Sequence, residues 1–190
     1  PEPAAQKSAE PTGDAGLSLT GPCQWVLLGR RARRLVAEEN WSEAAGAFSE
    51  AIDLRPDRCD LWKGRGEAHE KLDQWDAAMA DYQKAIKLEP EKWGSWKTRA
   101  ERLAQSGHSD KAIALFTSLL ERHPENAEIW QARGAAHHER KQWDKAISDY
   151  GQLIKLKPDD VQTYVQRAIA YRCSGHLNEA LEDANTGLLA

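Results

Sequence analysis

The side chains best suited to metal binding or nucleophilic chemistry are six histidines and three cysteines. Metal and redox sites need closely spaced ligands, such as two cysteines three positions apart or two histidines four positions apart on a helix. The cysteines are widely separated, and the adjacent His137 and His138 point to different sides of a helix. The sequence also lacks a glycine-rich phosphate loop. We therefore expect no catalytic residue, no metal and no cofactor, and we predict that the chain is not an enzyme.

Four arginines between residues 30 and 34 form a basic run that could bind nucleic acid. Acidic residues balance it within the same stretch, and the whole chain has a formal net charge of -4. Nucleic-acid-binding domains usually carry a strong basic excess, so we expect no nucleic-acid partner. An apolar stretch of roughly 18 residues, which a membrane span requires, does not occur. With no signal peptide and no closely spaced cysteines, a cytoplasmic protein without a membrane partner is expected.

Residue types recur at a fixed interval, and this recurrence identifies the elements that carry the side chains. Prolines recur every 34 residues from Pro56 to Pro158, and arginines do so from Arg31 to Arg167. All eight tryptophans fall on three positions of that interval. Such self-similarity is typical of repeat proteins, in which one supersecondary unit stacks on the next. With Trp25 as the first position, the sequence predicts repeats 25–58, 59–92, 93–126, 127–160 and 161–190, the last one incomplete.

Each repeat is predicted to contain two helices. In the second repeat, Trp62, Arg65 and His69 share one face of a first helix, because they are spaced by three and four residues. Pro90 ends the second helix, since proline lacks the N–H group and clashes with the preceding turn. Residues 1–24 are rich in Pro, Ala and Gly and are predicted to form a flexible linker. The expected fold is all-α, with a repeat domain over residues 25–190 whose units all stack in the same way.

The second and fourth repeats resemble the tetratricopeptide repeat signature. In the second repeat the matching residues are Trp62, Arg65, Gly66, His69, Ala78, Tyr82 and Pro90. Arginine stands in all five repeats where the signature has leucine, which resembles an Arg-Gly sub-type of the family. The resemblance implies a right-handed α-solenoid of five tandem helix-turn-helix repeats, with a concave groove that holds a peptide or helix of a partner. It is also compatible with an array excised from a larger bacterial multidomain protein.

The arginine of each repeat shares a helix face with packing residues and is expected to be partly buried. A buried guanidinium needs a partner. Asp81, Asp149 and Asp183 recur at one second-helix position, and we predict that some of the arginines pair with them. The residues interpreted as structural rather than ligand-binding are Arg31, Arg65, Arg99, Arg133, Arg167, Trp62, Trp96 and Trp130.

First-helix positions that do not pack in the stack are predicted to face the groove. The candidates are Arg30, Arg33, Lys63, Glu67, Glu70, Lys97, Glu101, Gln131, His138 and Arg172, and the same positions of the fifth repeat include Val165 and Ile169. A solvated helix face without a ligand is equally compatible with their mixed charges. Some relatives clamp the C-terminal carboxylates of a chaperone, but Glu67 and Glu101 would repel such a ligand. We therefore expect no chaperone clamp.

The predicted function is a protein–protein interaction scaffold that binds a partner peptide or domain in the groove. One alternative is an accessory segment of a multidomain signalling enzyme, kinase-like or propeller-containing, and the absence of a starting Met motivates it. A further alternative is a self-assembling repeat module, because the sequence ends in apolar residues 187–190 instead of a polar capping helix.

Overall fold

The computed structural model describes residues 23–189, with side chains up to Gly187. Within this range all regular structure is helical. The helices are α1 (Gln24–Ala37), α2 (Trp41–Leu54), α3 (Cys59–Lys71), α4 (Trp75–Leu88), a short 3-10 helix (Pro90–Lys92), α5 (Trp93–Gln105), α6 (Ser109–Leu120), α7 (Ala127–Glu139), α8 (Trp143–Leu156), α9 (Val161–Ser174) and α10 (Leu177–Leu189). Almost all of the predicted linker, residues 1–22, lies outside the described residues, and α1 begins at Gln24.

Each pair of helices is joined by a tight turn built on one residue in the left-handed conformation. The residues with positive φ are Glu39 (58°), Asp73 (57°), Gly107 (88°), Lys141 (59°) and Gly175 (87°), which share one position of the 34-residue interval. This conformation lets later N–H groups bond back to the helix, as when Gln74 donates to the carbonyl of His69 at 2.9 Å. Glycine adopts it without steric cost, whereas in the other three residues the Cβ atom is crowded by the backbone, which costs free energy.

Glycines let the stacked helices approach closely. A Cβ atom on Gly64 of α3 would lie 2.4 Å from Cζ of Phe48 on α2. A Cβ atom on Gly66 would lie 2.5 Å from Cε1 of Tyr82 on α4. Both aromatic rings are buried. An aromatic ring therefore fills the space beside a glycine, both between neighbouring repeats and within one.

Three of the four junctions between repeats follow one scheme, in which the second helix of a repeat packs on the first helix of the next. The pairs are α2 with α3, α6 with α7, and α8 with α9. Small or apolar side chains make this contact, including Leu61 and Ala68 of α3 and Ile129 of α7, which are fully buried. Burial of this apolar surface stabilises the stack.

The junction between the second and third repeats departs from the scheme, so the expectation that all units stack alike is wrong. Here α4 packs on α6, and α5 stands away from α4 with the side chains of Trp96 and Arg99 between them. The α5 positions that would face α4 carry Ser95, Thr98 and Arg102, and all three are exposed. Burying such polar groups without partners costs free energy, so α5 does not close onto α4. A cavity of about 390 Å³ opens at this junction.

The prediction of an all-α solenoid of five helix-turn-helix units is confirmed. Among the described helices, none is long and apolar enough to span a membrane.

Candidate functional site

Side chains of consecutive first helices meet on one surface, which we call the first-helix face. Arg33 of α1 pairs with Asp60 of α3, with 2.7 Å between Nη2 and Oδ2. Lys97 of α5 pairs with Glu128 of α7, with 2.8 Å between Nζ and Oε2, and its Nζ lies 3.5 Å from Oε1 of Glu101. The hydrogen bond to Glu128 raises the pKa of Lys97. The structure thus places first-helix positions of four successive repeats side by side.

Arg99 links two candidate groove residues across the irregular junction. Its guanidinium lies 3.0 Å from Oε1 of Glu67 and 2.6 Å from Oε2 of Glu70. It also donates to the hydroxyl oxygen of Tyr82 and stacks over that ring, 4.3 Å from the centroid. The Tyr82 hydroxyl in turn donates to Glu70 at 2.7 Å. Burial raises the pKa of Tyr82, so the phenol stays protonated and acts as a hydrogen-bond donor. These contacts hold both glutamates of α3 against α5.

Three arginines of the 34-residue series form the predicted pairs with aspartate. The pairs are Arg65 with Asp81, Arg133 with Asp149, and Arg167 with Asp183, joined at 2.7, 2.7 and 2.6 Å. In each pair, Nε and Nη2 donate to the two carboxylate oxygens in the two-pronged geometry that suits guanidinium. The aspartates are buried, so these pairs belong to the stack rather than to a ligand site.

The two remaining arginines of the series behave differently because their repeats lack the aspartate. Ala47 and Leu115 occupy that position in the first and third repeats. Arg99 consequently pairs with the glutamates of α3, as described above. Arg31 is exposed rather than partly buried, and no salt bridge joins it to another described residue.

The three structural tryptophans also divide into two kinds. Trp62 and Trp130 donate their indole N–H groups to the carbonyls of Pro56 and Pro124, at 2.8 and 2.7 Å. Trp96 is instead turned inward, is only 3% exposed, and lies against Tyr82 with 5.4 Å between ring centroids. His123 takes over the equivalent proline carbonyl, that of Pro90, at 2.8 Å. The inward turn of Trp96 accompanies the displacement of α5.

The remaining groove candidates have few contacts with other side chains. The exposed ones are Arg30, Lys63, Gln131 and Arg172. His138 is half-buried, and its ring meets Trp143 edge-on, with 4.9 Å between centroids. Lys63 lines the cavity at the irregular junction together with Glu67. The predicted groove residues therefore form a row along the first helices rather than one compact site.

An apolar stripe on α9 was not predicted from the sequence as a feature of its own. Val161, Val165 and Ile169 follow one another at four-residue spacing and are 37%, 39% and 37% exposed. A change of residue type in the sequence could have indicated this stripe. In the second to fourth repeats, the position of Val165 carries Lys or Gln, and the position of Ile169 carries Glu or Ala.

Two of the histidines considered as catalytic candidates contact glutamine side chains of the fold. The imidazole Nδ1 atoms of His69 and His137 lie 2.7 Å from the Oε1 atoms of Gln74 and Gln142. Burial lowers the pKa of His137. Within residues 23–189, His, Cys, Asp and Glu side chains form no group of three or more that could hold a metal ion.

Comparison with known proteins identifies the repeat. Two family models, both described as "Tetratricopeptide repeat", match residues 59–92 and 97–161, which together make up just over half of the chain. No curated protein matches. These models describe a repeat and not an enzyme.

Solved structures of similar fold belong to the same class. MamA residues 41 to the end, from Desulfovibrio magneticus RS-1, has a TM-score of 0.50 and 16% identity, covering 86% of this chain and 93% of that one. A mutant form of MamA has a TM-score of 0.58 and 20% identity over 68% of this chain and 95% of its own. YrrB, a TPR protein with an unusual peptide-binding site, has a TM-score of 0.50 and 15% identity, covering 85% of this chain and 83% of its own. At such identity the likeness establishes the fold, and together with the family models it shows that this chain belongs to the tetratricopeptide repeat family, whose members are helical protein-interaction scaffolds.

Proposed function

We propose that the chain binds a polypeptide segment of a partner protein on its first-helix face. The observation that carries the proposal is that the side chains along each first helix fall into two sets, one buried in the stack and one exposed. One set is buried in the stack, as Leu61, Ala68 and Ile129 are. Another set, which includes Lys63, Gln131 and Val165, is exposed on a single surface and contributes nothing to stacking. A continuous surface of this kind, held on rigid helices, suits the binding of an extended chain.

YrrB, whose fold is similar, has a peptide-binding site, and this supports the same proposal. Charge makes a chaperone carboxylate clamp a poor candidate for this surface. The carboxylates of Glu67 and Glu70 already form salt bridges with the guanidinium of Arg99. A carboxylate entering there would compete with two carboxylates that are fixed in place.

Selection of peptides from a random library displayed on phage tests the proposal. Selected peptides would be synthesised, and their dissociation constants measured by fluorescence anisotropy. We expect binding to weaken in Lys63→Glu and Gln131→Glu, and to be unchanged in Asp144→Lys, an exposed position on a second helix. Equal affinity for all three variants would place binding elsewhere and refute the proposal.

A second candidate function is self-association through α10. Leu177 and Leu181 are 59% and 63% exposed. In the preceding repeat, the residue equivalent to Leu177 is Trp143, which lines a cavity with Cys173 and His176 of the following repeat. The α10 surface thus exposes positions that, in the preceding repeat, face the repeat that follows. Sedimentation equilibrium of the chain and of Leu181→Glu measures this, and a monomer at high concentration in both would eliminate it.

A further inference from the structure

The first-helix face is not uniform along the array. In the first four repeats, several of its charged side chains are paired across repeats: Arg33 with Asp60, Arg99 with Glu67 and Glu70, and Lys97 with Glu128. Arg30 and Lys63 are exposed beside these pairs. A ligand bound there has to compete with these internal pairs. Beyond Glu128 the face has no such pair among the described residues, and Gln131, Ala135, Val165 and Ile169 carry no charge.

The change is concentrated on α9. Val165 occupies the position of Lys63 and Lys97, and Ile169 occupies the position of Glu67 and Glu101. Both apolar side chains are more than one-third exposed. On α7, the first helix of the preceding repeat, Gln131 and Ala135 occupy the equivalent positions and are also exposed.

Stacking of a further repeat does not account for the exposed apolar side chains of α9. The same positions stay accessible in interior repeats, where Lys63 is exposed and Lys97 and Glu101 are half-buried although another repeat follows. Leu181 differs in this respect, because its equivalent Met79 is only 8% exposed once the next repeat is in place. The exposure of Leu181 is thus what stacking predicts, whereas Val165 and Ile169 are apolar at positions that stacking leaves open.

Arg172 adds a positive charge to this part of the face. Arg172 follows Ile169 by three residues, so it lies on the same side of α9. It is exposed, and no salt bridge joins it to another described residue. An apolar strip that ends at a free guanidinium is complementary to apolar side chains followed by a carboxylate.

We infer that the surface of α7 and α9 formed by Gln131, Ala135, Val165, Ile169 and Arg172 binds an extended partner segment carrying two apolar residues and one acidic residue. The inference rests on the proposed function and specifies where on the first-helix face binding occurs. Val165 and Ile169 are about 6 Å apart along the helix axis. Alternate residues of an extended chain are about 6.6 Å apart and point to the same side. Two apolar side chains at alternate positions therefore match the strip, with the carboxylate two positions further on facing Arg172. Gln131 offers its amide to the partner's backbone.

A peptide titration followed by nuclear magnetic resonance tests the inference. The probe is the capped peptide acetyl-Ala-Leu-Ser-Leu-Ser-Glu-Ala-amide. The control peptide has serine in place of both leucines. We expect the backbone amide signals of α7 and α9 to shift with the probe, and to shift far less with the control peptide or when glutamine replaces the glutamate. The dissociation constant is expected to rise about tenfold in Val165→Lys and in Ile169→Glu, which remove the apolar contact.

Both substitutions install residues that other repeats already carry at these positions, so they preserve the fold. Leu181→Glu is the matched control, because it removes an exposed apolar side chain from the stacking surface and leaves binding unchanged. Shifts confined to α3 and α5 would overturn the inference while leaving the proposed function in place. Shifts confined to α10, or the absence of shifts in any helix, would also overturn the inference. The peptides obtained by phage selection would then test the proposed function separately.

Discussion

Replacement of Gly64 by alanine tests the stacking geometry most sharply. The added Cβ atom would lie 2.4, 2.6 and 2.9 Å from three ring carbons of Phe48. Non-bonded carbons prefer about 3.5 Å or more, so the overlap exceeds what a small shift can relieve. The ring of Phe48 is only 2% exposed and has little room to move. Overpacking of this kind costs roughly 1–3 kcal/mol, and alanine's better helix propensity returns about 1 kcal/mol at most.

Because the overlap is severe, the upper part of the overpacking range applies, and after the propensity gain is subtracted we expect Gly64→Ala to lower the free energy of unfolding by about 1–2 kcal/mol. Gly46→Ala on α2 is the matched control, because nothing lies within 4 Å of its Cβ position. That substitution gains the propensity term alone and is expected to stabilise by about 0.5–1 kcal/mol. Urea unfolding followed by circular dichroism measures both. If Gly64→Ala proves neutral or stabilising, α3 and α2 are not packed as described.

Further predictions concern the turns, the ion pairs and the titratable groups. Lys141→Gly relieves a left-handed residue and should raise the free energy of unfolding by about 1 kcal/mol, whereas a loss in urea unfolding would contradict the turn geometry. Asp149→Ala leaves the guanidinium of Arg133 without its carboxylate and should cost about 3 kcal/mol in the same assay, and an unchanged midpoint would show that the pair is not buried. Burial lowers the pKa of His137, so the unfolded chain binds a proton that the folded chain resists, and stability should fall as pH drops below about 6.5. His137→Gln should flatten that part of the pH profile, and an identical profile would exclude the histidine as its source. Burial raises the pKa of the Cys59 thiol to about 12, so iodoacetamide at neutral pH should modify Cys59 only after unfolding, while the exposed Cys23 and Cys173 react in the folded chain. Peptide mapping by mass spectrometry distinguishes the three, and rapid modification of Cys59 itself in the folded chain would contradict its burial.

The 34-residue interval was sufficient to predict the helices because each unit repeats the same local signals. The pairing of Arg65 with Asp81 also followed from the sequence, since both types recur together and a buried guanidinium requires a carboxylate. Both predictions depend on contacts within a single repeat. The 34-residue periodicity therefore predicts the contacts within a single repeat well.

The departures arise where one repeat meets another. Trp96 occupies the same position as Trp62, yet it turns inward because Ser95, Thr98 and Arg102 prevent α5 from closing on α4. Periodicity of one residue type could not show this, since the cause lies in three neighbours and in the helix that they face. The pairing of Arg33 with Asp60, of Arg99 with Glu67 and Glu70, and of Lys97 with Glu128 could not be predicted in this way either, because these ion pairs join different repeats.

The central claim is that a partner polypeptide binds on the first-helix face at α7 and α9. Its most direct test is the dissociation constant of a phage-selected peptide for the unmodified chain and for Val165→Lys, Ile169→Glu and Leu181→Glu, measured side by side. We expect about tenfold weaker binding for the first two variants and unchanged binding for the third. Unchanged binding for the first two, together with a loss in Leu181→Glu, would contradict the central claim and assign recognition to the stacking surface of α10.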